Sequence, residues 1–551
     1  MPLAATLLAS VRPPVRRRFP ILYGLLLFAP ASIAQLSGLY TIHPLRPVTA
    51  TNFQNLYSAV DALAAQGVSG PTNFELYDDG GPFVDPMVFY SAAHPTLGQN
   101  LALGNNQCIL RLGAWTGVSS VNRVIFRAAP GESPTLDATG QACGVYFNGA
   151  DYVTLEGLEI KNAAFDAISL YTASSQNALG NRIVGCTLRN CGGVGVLCYG
   201  NAGAVNDTFI ANNLFSNMMQ TGGGSFSGFI RDSYVAGRRD NNTQILFNTF
   251  LVGTLAGTSI ATPPSVFGSY PGSTTYTAFT KVEGNVVVKS TANGVVYNFQ
   301  TASATTAPTL PASADWNCFW LPAGGNFAKG AATTYATLPA WQTGVTKDGA
   351  SLSADPLLAG CGTPAYRLPI ASPCVNAGVT TSVDPALWYD REGFGRDSLI
   401  DIGADEWQGN PAACAGFAGS GGPGASGEFQ ALLPSSPPEI GNGGFAFVLP
   451  RATGGVATFV YLAFGLETVP VFYGAGNRSY LNQADLAALA GTPLSPLTVG
   501  FAAPTGGLSA PFPIPNDPAL LGATLYFQAS QADAGAPLGF TLTNALSLTF
   551  Q

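Results

Sequence analysis

The chain has 551 residues, enough for more than one domain with a core of its own. Charged residues make up only 10%, against roughly 25% in an ordinary soluble protein, while 66 glycines and 40 prolines favour turns over long solvated helices. A net charge of −8 without a long basic run excludes nucleic acid as a partner, because phosphate binding needs clustered Lys and Arg.

Residues 1–34 read as an export signal. RPPVRRR is a basic start, FPILYGLLLFAPA is apolar, and Ser32 and Ala34 place small residues before a cut at Gln35. The apolar run is short for a membrane span and carries Pro20 and Pro30, so a retained anchor is the lesser alternative. The mature chain is expected to be secreted or held at the cell surface, with no transmembrane span. In NFQNLYSAVDALAAQGV (52–68), Phe53, Leu56, Val60 and Leu63 recur at helical spacing and Gly67 ends the run, which predicts an amphipathic helix. YDDGG (77–81) sets Asp78 and Asp79 before two glycines. A plain turn explains it, and calcium is the one cofactor such carboxylates leave open.

Five stretches then repeat: VTLEGLEIKN from 153, RIVGCTLRN from 182, TFIANNLFSN from 208, QILFNTFLVG from 244 and TKVEGNVVVKS from 280. Aligned, Ile160, Leu188, Leu214, Phe250 and Val286 form one column, spaced roughly 26 to 36 residues apart as in solenoids. Leu158, Cys186, Asn212 and Asn248 form a second column. Alternating runs such as AISLYT, GVGVLCYG and GVVYNF lie between them and have the period of half-buried strands. One rung cannot bury its own apolar face, whereas stacked rungs make a continuous core. Inward Asn side chains can then hydrogen-bond from rung to rung, and Cys186 and Cys198 should be buried. The 52–68 helix would cover the first rung, since a bare solenoid end is an open sheet edge.

SGLYTIHP, GVSGPTNFELYDDG and VIFRAAPGESPTLDATG resemble the opening of right-handed parallel β-helix proteins of the pectin-lyase-like class. DPLLAGCGTPAYRLPIASPCVNAG and DREGFGRDSLIDIGADEW resemble their closing segment. The resemblance covers roughly residues 36–408 and implies a β-helix domain over 35–409. From 410 to 551 the texture changes to a Gly/Ala/Ser-rich lead-in and short strands with Gly/Pro turns, which predict a small β-sandwich. Its ending resembles the C-terminal domains of planctomycete-type secreted proteins. The expected fold is therefore all-β: a right-handed parallel β-helix with an N-terminal α-helical cap, then a C-terminal β-sandwich.

Nine cysteines suit an oxidising compartment, and CGTPAYRLPIASPC closes a short loop that predicts a Cys361–Cys374 disulfide. The Cys/His spacing gives no zinc site, so no metal ligand is assigned. Asp401, Asp405 and Glu406 in DIGADE, with Arg391 and Arg396 nearby, read as an ion-paired end of the fold. β-Helix lyases take a proton alpha to a uronate carboxylate with a basic residue, and hydrolases use paired Asp. The repeats hold no His, and no complete signature of either kind is present.

FIRDSYVAGRRDNN (229–242) concentrates charge in a charge-poor chain and reads as a loop inserted beside the coil. Arg231, Asp232, Tyr234, Arg238, Arg239 and Asp240 are its candidate ligand contacts, with Lys161 and Asp166 facing the same groove. No catalytic residue is assigned. The residues favour an extracellular or surface protein that contacts polysaccharide or cell-surface glycan without catalysis. The alternative is a polysaccharide lyase, less so a glycoside hydrolase, acting on acidic glycans. A groove lined by basic and acidic side chains on one stacked face would favour that alternative.

Overall fold

The computed structural model describes residues 34–550 except 89–106, 173–176, 201–202, 220–227, 235–239, 254–262, 271–278, 300–309, 331–332, 360–364, 380–383, 392–395, 397–399, 408–413, 419–431, 436–437, 450–455, 475–476, 491, 493–496, 502–507 and 535–539. The expected export signal and residues Cys361, Arg238 and Arg239 lie outside the described residues. Among the described residues, no helix is long and apolar enough to cross a membrane.

Three long sheets of ten, seven and ten strands wind as a right-handed parallel β-helix. A typical rung places Val153–Glu156 in the first sheet, Glu159–Lys161 in the second and Ile168–Tyr171 in the third. The next rung repeats this with Arg182–Val184, Thr187–Arg189 and Val196–Gly200. The rungs stack in register, so that Ile160 pairs Leu188, then Phe215, Phe250, Val287 and Phe319.

Six successive corners between the first and second sheets each turn on one residue in the left-handed conformation. Gly157, Gly185, Asn212, Phe247, Gly284 and Trp316 hold it, with φ between 52° and 68°. Glycine does so at no steric cost and Asn tolerates it, whereas Phe247 and Trp316 carry backbone strain there. The residue that follows each corner is fully buried: Leu158, Cys186, Asn213, Asn248, Asn285 and Asn317. From the third of these onward they make an asparagine ladder, with amide-to-amide bonds of 2.9, 3.0 and 3.0 Å between successive rungs.

The structure thus shifts the expected columns by one residue in places. Asn212 is the corner and Asn213 the interior rung, and Phe215 and Val287 replace Leu214 and Val286 in the core column. Cys186 and Cys198 are buried as expected.

The helix Leu56–Gln66 caps the first rungs. Asn55 accepts a hydrogen bond from Ser58 N (2.8 Å), Gly67 ends the helix with φ 65°, and Leu56, Ala59 and Leu63 enter the core. A second helix, Leu338–Val345, supplies an aromatic cover at the other end, which the sequence pattern did not announce. Its Trp341 is fully buried, with ring centroids 5.1 Å from Tyr297, and donates through Nε1 to Asp348 at 2.9 Å. Asp348 also accepts from Asn317 Nδ2 (2.9 Å) and Ser351 Oγ (2.8 Å), so it ends the ladder. Burial pushes its carboxyl above the ordinary value despite these donors.

Beyond the coil, antiparallel sheets of five and three strands share a separate core that includes Phe447, Leu449, Val460, Phe527 and Leu546. This is the expected C-terminal sandwich.

Candidate functional site

The closing segment runs from 355 to 407, and its last part, 384–407, lies along the coil. Leu387 packs on Phe209, Ala211, Leu246 and Phe247 of the first sheet, and Ile402 packs on Val286 and Cys318 of the second. Glu406 pairs with Arg396 at 3.0 Å, both buried. Asp401 accepts from Asn376 N, and Asp405 accepts from Leu368 N at 2.7 Å. DIGADE is therefore the end of the fold, as expected. One expected partner is corrected: Arg391 donates to Cys186 O (3.0 Å) and Thr187 Oγ1, capping backbone of the coil.

Where this segment crosses the first sheet it leaves a groove of about 700 Å³, well inside the range of ligand sites. The floor is the sheet's outer face. Ile125, Thr154 and Arg182 share one row over three rungs, and Glu156 and Val184 share the row two residues on. The wall is 384–391, with Asp384, Tyr389, Asp390 and Arg391. Trp388 and Tyr389 are 57% and 53% exposed at this segment, as sugar-stacking rings need to be.

The charges of the groove are unequally occupied. Arg182 makes a forked pair with Asp384 (2.9 and 2.6 Å) and lies over the Phe209 ring. Burial pushes Asp384 up, but the Arg182 fork and the Ala386 N–H outweigh it and leave the carboxyl below its ordinary value. Asp390 is buried and accepts from Glu406 N. Arg123 donates to Gly180 O at 2.7 Å and approaches Thr154 Oγ1, yet among the described residues no carboxylate pairs with it. Burial, and then the neighbouring Arg182, lower it to about 10. An anion placed in the groove would relieve both effects.

A second cluster lies at the end of the strand Val68–Leu76. The carboxylates of Asp78, Asp79 and Glu132 have oxygens within 4.8 Å of one another, and these are the residues that could hold calcium. His43 Nε2 stands 3.0 Å from Asp79 and its ring stacks on Tyr77. Burial, and then Asp78, push Glu132 well above its ordinary value. Its folded pKa exceeds the unfolded one, so the folded state binds the extra proton and stability falls as pH rises above about 4.3. Glu132→Gln, which keeps a donor toward Asp78, should melt higher than the native chain by a margin that grows from pH 4 to 7. A lower melting temperature at pH 7 would show that Glu132 is needed as a carboxylate.

The sequence candidates do not converge on one place. Arg231, Asp232 and Tyr234 lie on the strand Gly228–Tyr234, a paired rung of the third sheet rather than an inserted loop, and Arg231 is buried. Lys161 belongs to the second sheet, 3.8 Å from Asp137. Asp166, expected on the surface, is buried and accepts from Val194 N. Asp240 falls on the short strand Asp240–Asn241. The groove residues escaped notice because 202 positions separate Arg182 from Asp384. The repeated stretches Asn122-Arg123-Val124 and Asn181-Arg182-Ile183 were the one local signal.

The family model described as the right handed beta helix region matches residues 120–250. No curated protein matches the chain. Among solved structures it is similar to a pectate lyase at 13% identity, covering 68% of this chain and 98% of that one, with TM-score 0.32. It is similar to a rhamnogalacturonan lyase at 10% identity, covering 52% and 69%, with TM-score 0.28. A mannuronic acid-specific polysaccharide lyase from human gut microbiota is 14% identical, covering 51% and 54%, with TM-score 0.29.

Proposed function

We propose that this is an exported β-helix protein, acting outside the cell or at its surface, which holds an acidic polysaccharide in the groove between the first sheet and the closing segment. The observation that carries the reading is Arg123, a half-buried guanidinium lining that groove with no carboxylate partner among the described residues. A uronate or sulfate group supplies the missing charge, and a fork of N–H donors suits either. The exposed Tyr389 on the groove wall adds a ring for a sugar face.

Contact without turnover is the favoured form. Of the groove's carboxylates, Asp384 is held by Arg182 and Asp390 by a backbone N–H, which leaves Glu156 without the second carboxylate that hydrolysis needs. The mixed charge of the groove favours a second reading, eliminative cleavage of a bound uronate, with Arg123 neutralising its carboxylate.

The test is binding of polygalacturonate, alginate and an uncharged dextran, with unsaturated product followed in the same samples. Arg123→Ala should weaken the acidic polymers by about 1.5–3 kcal/mol, roughly tenfold to more than a hundredfold, with Arg123→Lys in between. Equal binding of dextran would overturn the acidic reading, and product formation would replace contact by cleavage. Replacing Arg231, Arg238 and Arg239 by alanine tests the other basic cluster. Loss of binding there alone would move the site to it.

A further inference from the structure

We propose that Cys318 and Cys374 form a disulfide that fastens the closing segment to the last strand of the second sheet. Cys318 opens Cys318–Trp320, the strand at the end of that sheet, where it pairs with Val286. Cys374 lies 56 positions later, on a stretch with no strand of its own. Both side chains are fully buried, and both belong to one apolar cluster with Val286, Leu368 and Ile402. Within that cluster, Cys318 is the main influence on the Cys374 thiol.

Among the described residues, the nearest backbone bond from this segment to the coil is Gly403 N to Gly284 O at 2.8 Å. The backbone bonds of residues 367–378 run within the closing segment, to Ala359, Ile400 and Ile402, rather than to the coil strands. Leu368 N and Asn376 N go to Asp405 and Asp401 of the same segment. Attachment to the second sheet here therefore rests on side chains, and a covalent link closing a long loop would restrict the unfolded chain most.

The step balances with a disulfide-form oxidant such as oxidised glutathione. One cysteine thiolate attacks the oxidant's disulfide and releases one reduced thiol. The second thiolate displaces the other reduced thiol as the protein S–S bond forms. Two protons and two electrons leave the protein in all. Contact with Cys318, and then burial, push the Cys374 thiol up, so it stays protonated once the segment is docked. The reaction therefore belongs to folding, before the segment closes, and the finished bond is sheltered from reductant.

The expected Cys361–Cys374 bond competes for the same sulfur. Cys361 lies outside the described residues, and the structure shows Cys374 as an unbonded thiol against Cys318. The experiment is refolding of the full chain in reduced and oxidised glutathione, followed by alkylation, digestion and peptide mapping. A linked Cys318–Cys374 peptide is expected. It should persist in Cys361→Ser, vanish in Cys318→Ser, and accompany a melting temperature several degrees above that of the reduced chain. A Cys361–Cys374 peptide, or alkylation of both Cys318 and Cys374 in the oxidised native chain, overturns the proposal. Because the native chain is mapped directly, a variant that fails to fold does not blur the result.

Discussion

Replacing Asn248 by aspartate should cost about 3–5 kcal/mol of stability, more than a typical single substitution. Asn248 is fully buried in the middle of the ladder. Its Oδ1 accepts from Asn213 N and Nδ2, both at 2.9 Å. Its Nδ2 donates to Ile210 O, Leu246 O and Asn285 Oδ1, each at 3.0 Å. Aspartate keeps the first pair of contacts and turns the other three into oxygen facing oxygen, with a charge in a dry interior. Its ladder neighbours are amides and offer no counter-charge. The measurement is denaturant unfolding of the two chains. The informative control is Asn212→Asp, one residue earlier. Asn212 sits at the left-handed corner, and its Oδ1 accepts from Arg396 Nη2 at 3.0 Å, so a charge there has a partner. Its loss should be smaller, about 1–3 kcal/mol, from the bonds it donates to Ala386 O and Tyr389 O. Equal losses at the two sites would contradict the assignment of corner and ladder.

Arg396→Ala should cost a similar amount, about 3–5 kcal/mol, but its effect should be local. The guanidinium is buried and bonds in several directions: Glu406 at 3.0 Å, Gly403 O at 2.8 Å, and Asn212 Oδ1. It also lies 5.0 Å from the Phe247 ring centroid. Removing it takes the counter-charge from the buried Glu406 carboxylate, which keeps Asp401 N as a donor, and opens the contact between the closing segment and the first sheet. Lysine should not restore it, because a single ammonium cannot reach all of these acceptors at once. Hydrogen exchange should quicken in 384–407 well before the coil strands respond. The pair is enclosed, so added salt should change its contribution little. A melting temperature within a degree of the native chain would mean that the segment is held by its apolar contacts alone.

The Arg396 variant bears on the groove as well. The segment that Arg396 anchors is the groove's wall, so Arg396→Ala should lower binding of acidic polymer even though Arg396 itself does not line it. Arg123→Ala should also reduce binding, but with the fold intact.

What the sequence by itself determined was the repeat and therefore the fold. The column from Ile160 through Leu188 to Phe250, the helix opened by Asn55 and stopped by Gly67, and the Arg396–Glu406 pair that closes DIGADE all follow from local rules of period, capping and charge. What it could not determine was the face on which some residues lie. Leu214 and Val286 sit on the outward row of the second sheet, yet both are buried, Val286 beneath Cys374 and Ile402 of the closing segment. With both faces of a strand covered, the apolar–polar alternation that marks the inside disappears, and a one-residue slip leaves no trace in the pattern. The same reason hid the groove. Arg123, Arg182 and Asp384 become neighbours only when the rungs stack and the chain returns across them, and a contact spanning 202 positions has no local signature. Arg231 failed in the opposite sense: its charge suggested an exposed loop, whereas the pairing of its strand on both sides placed it within the third sheet.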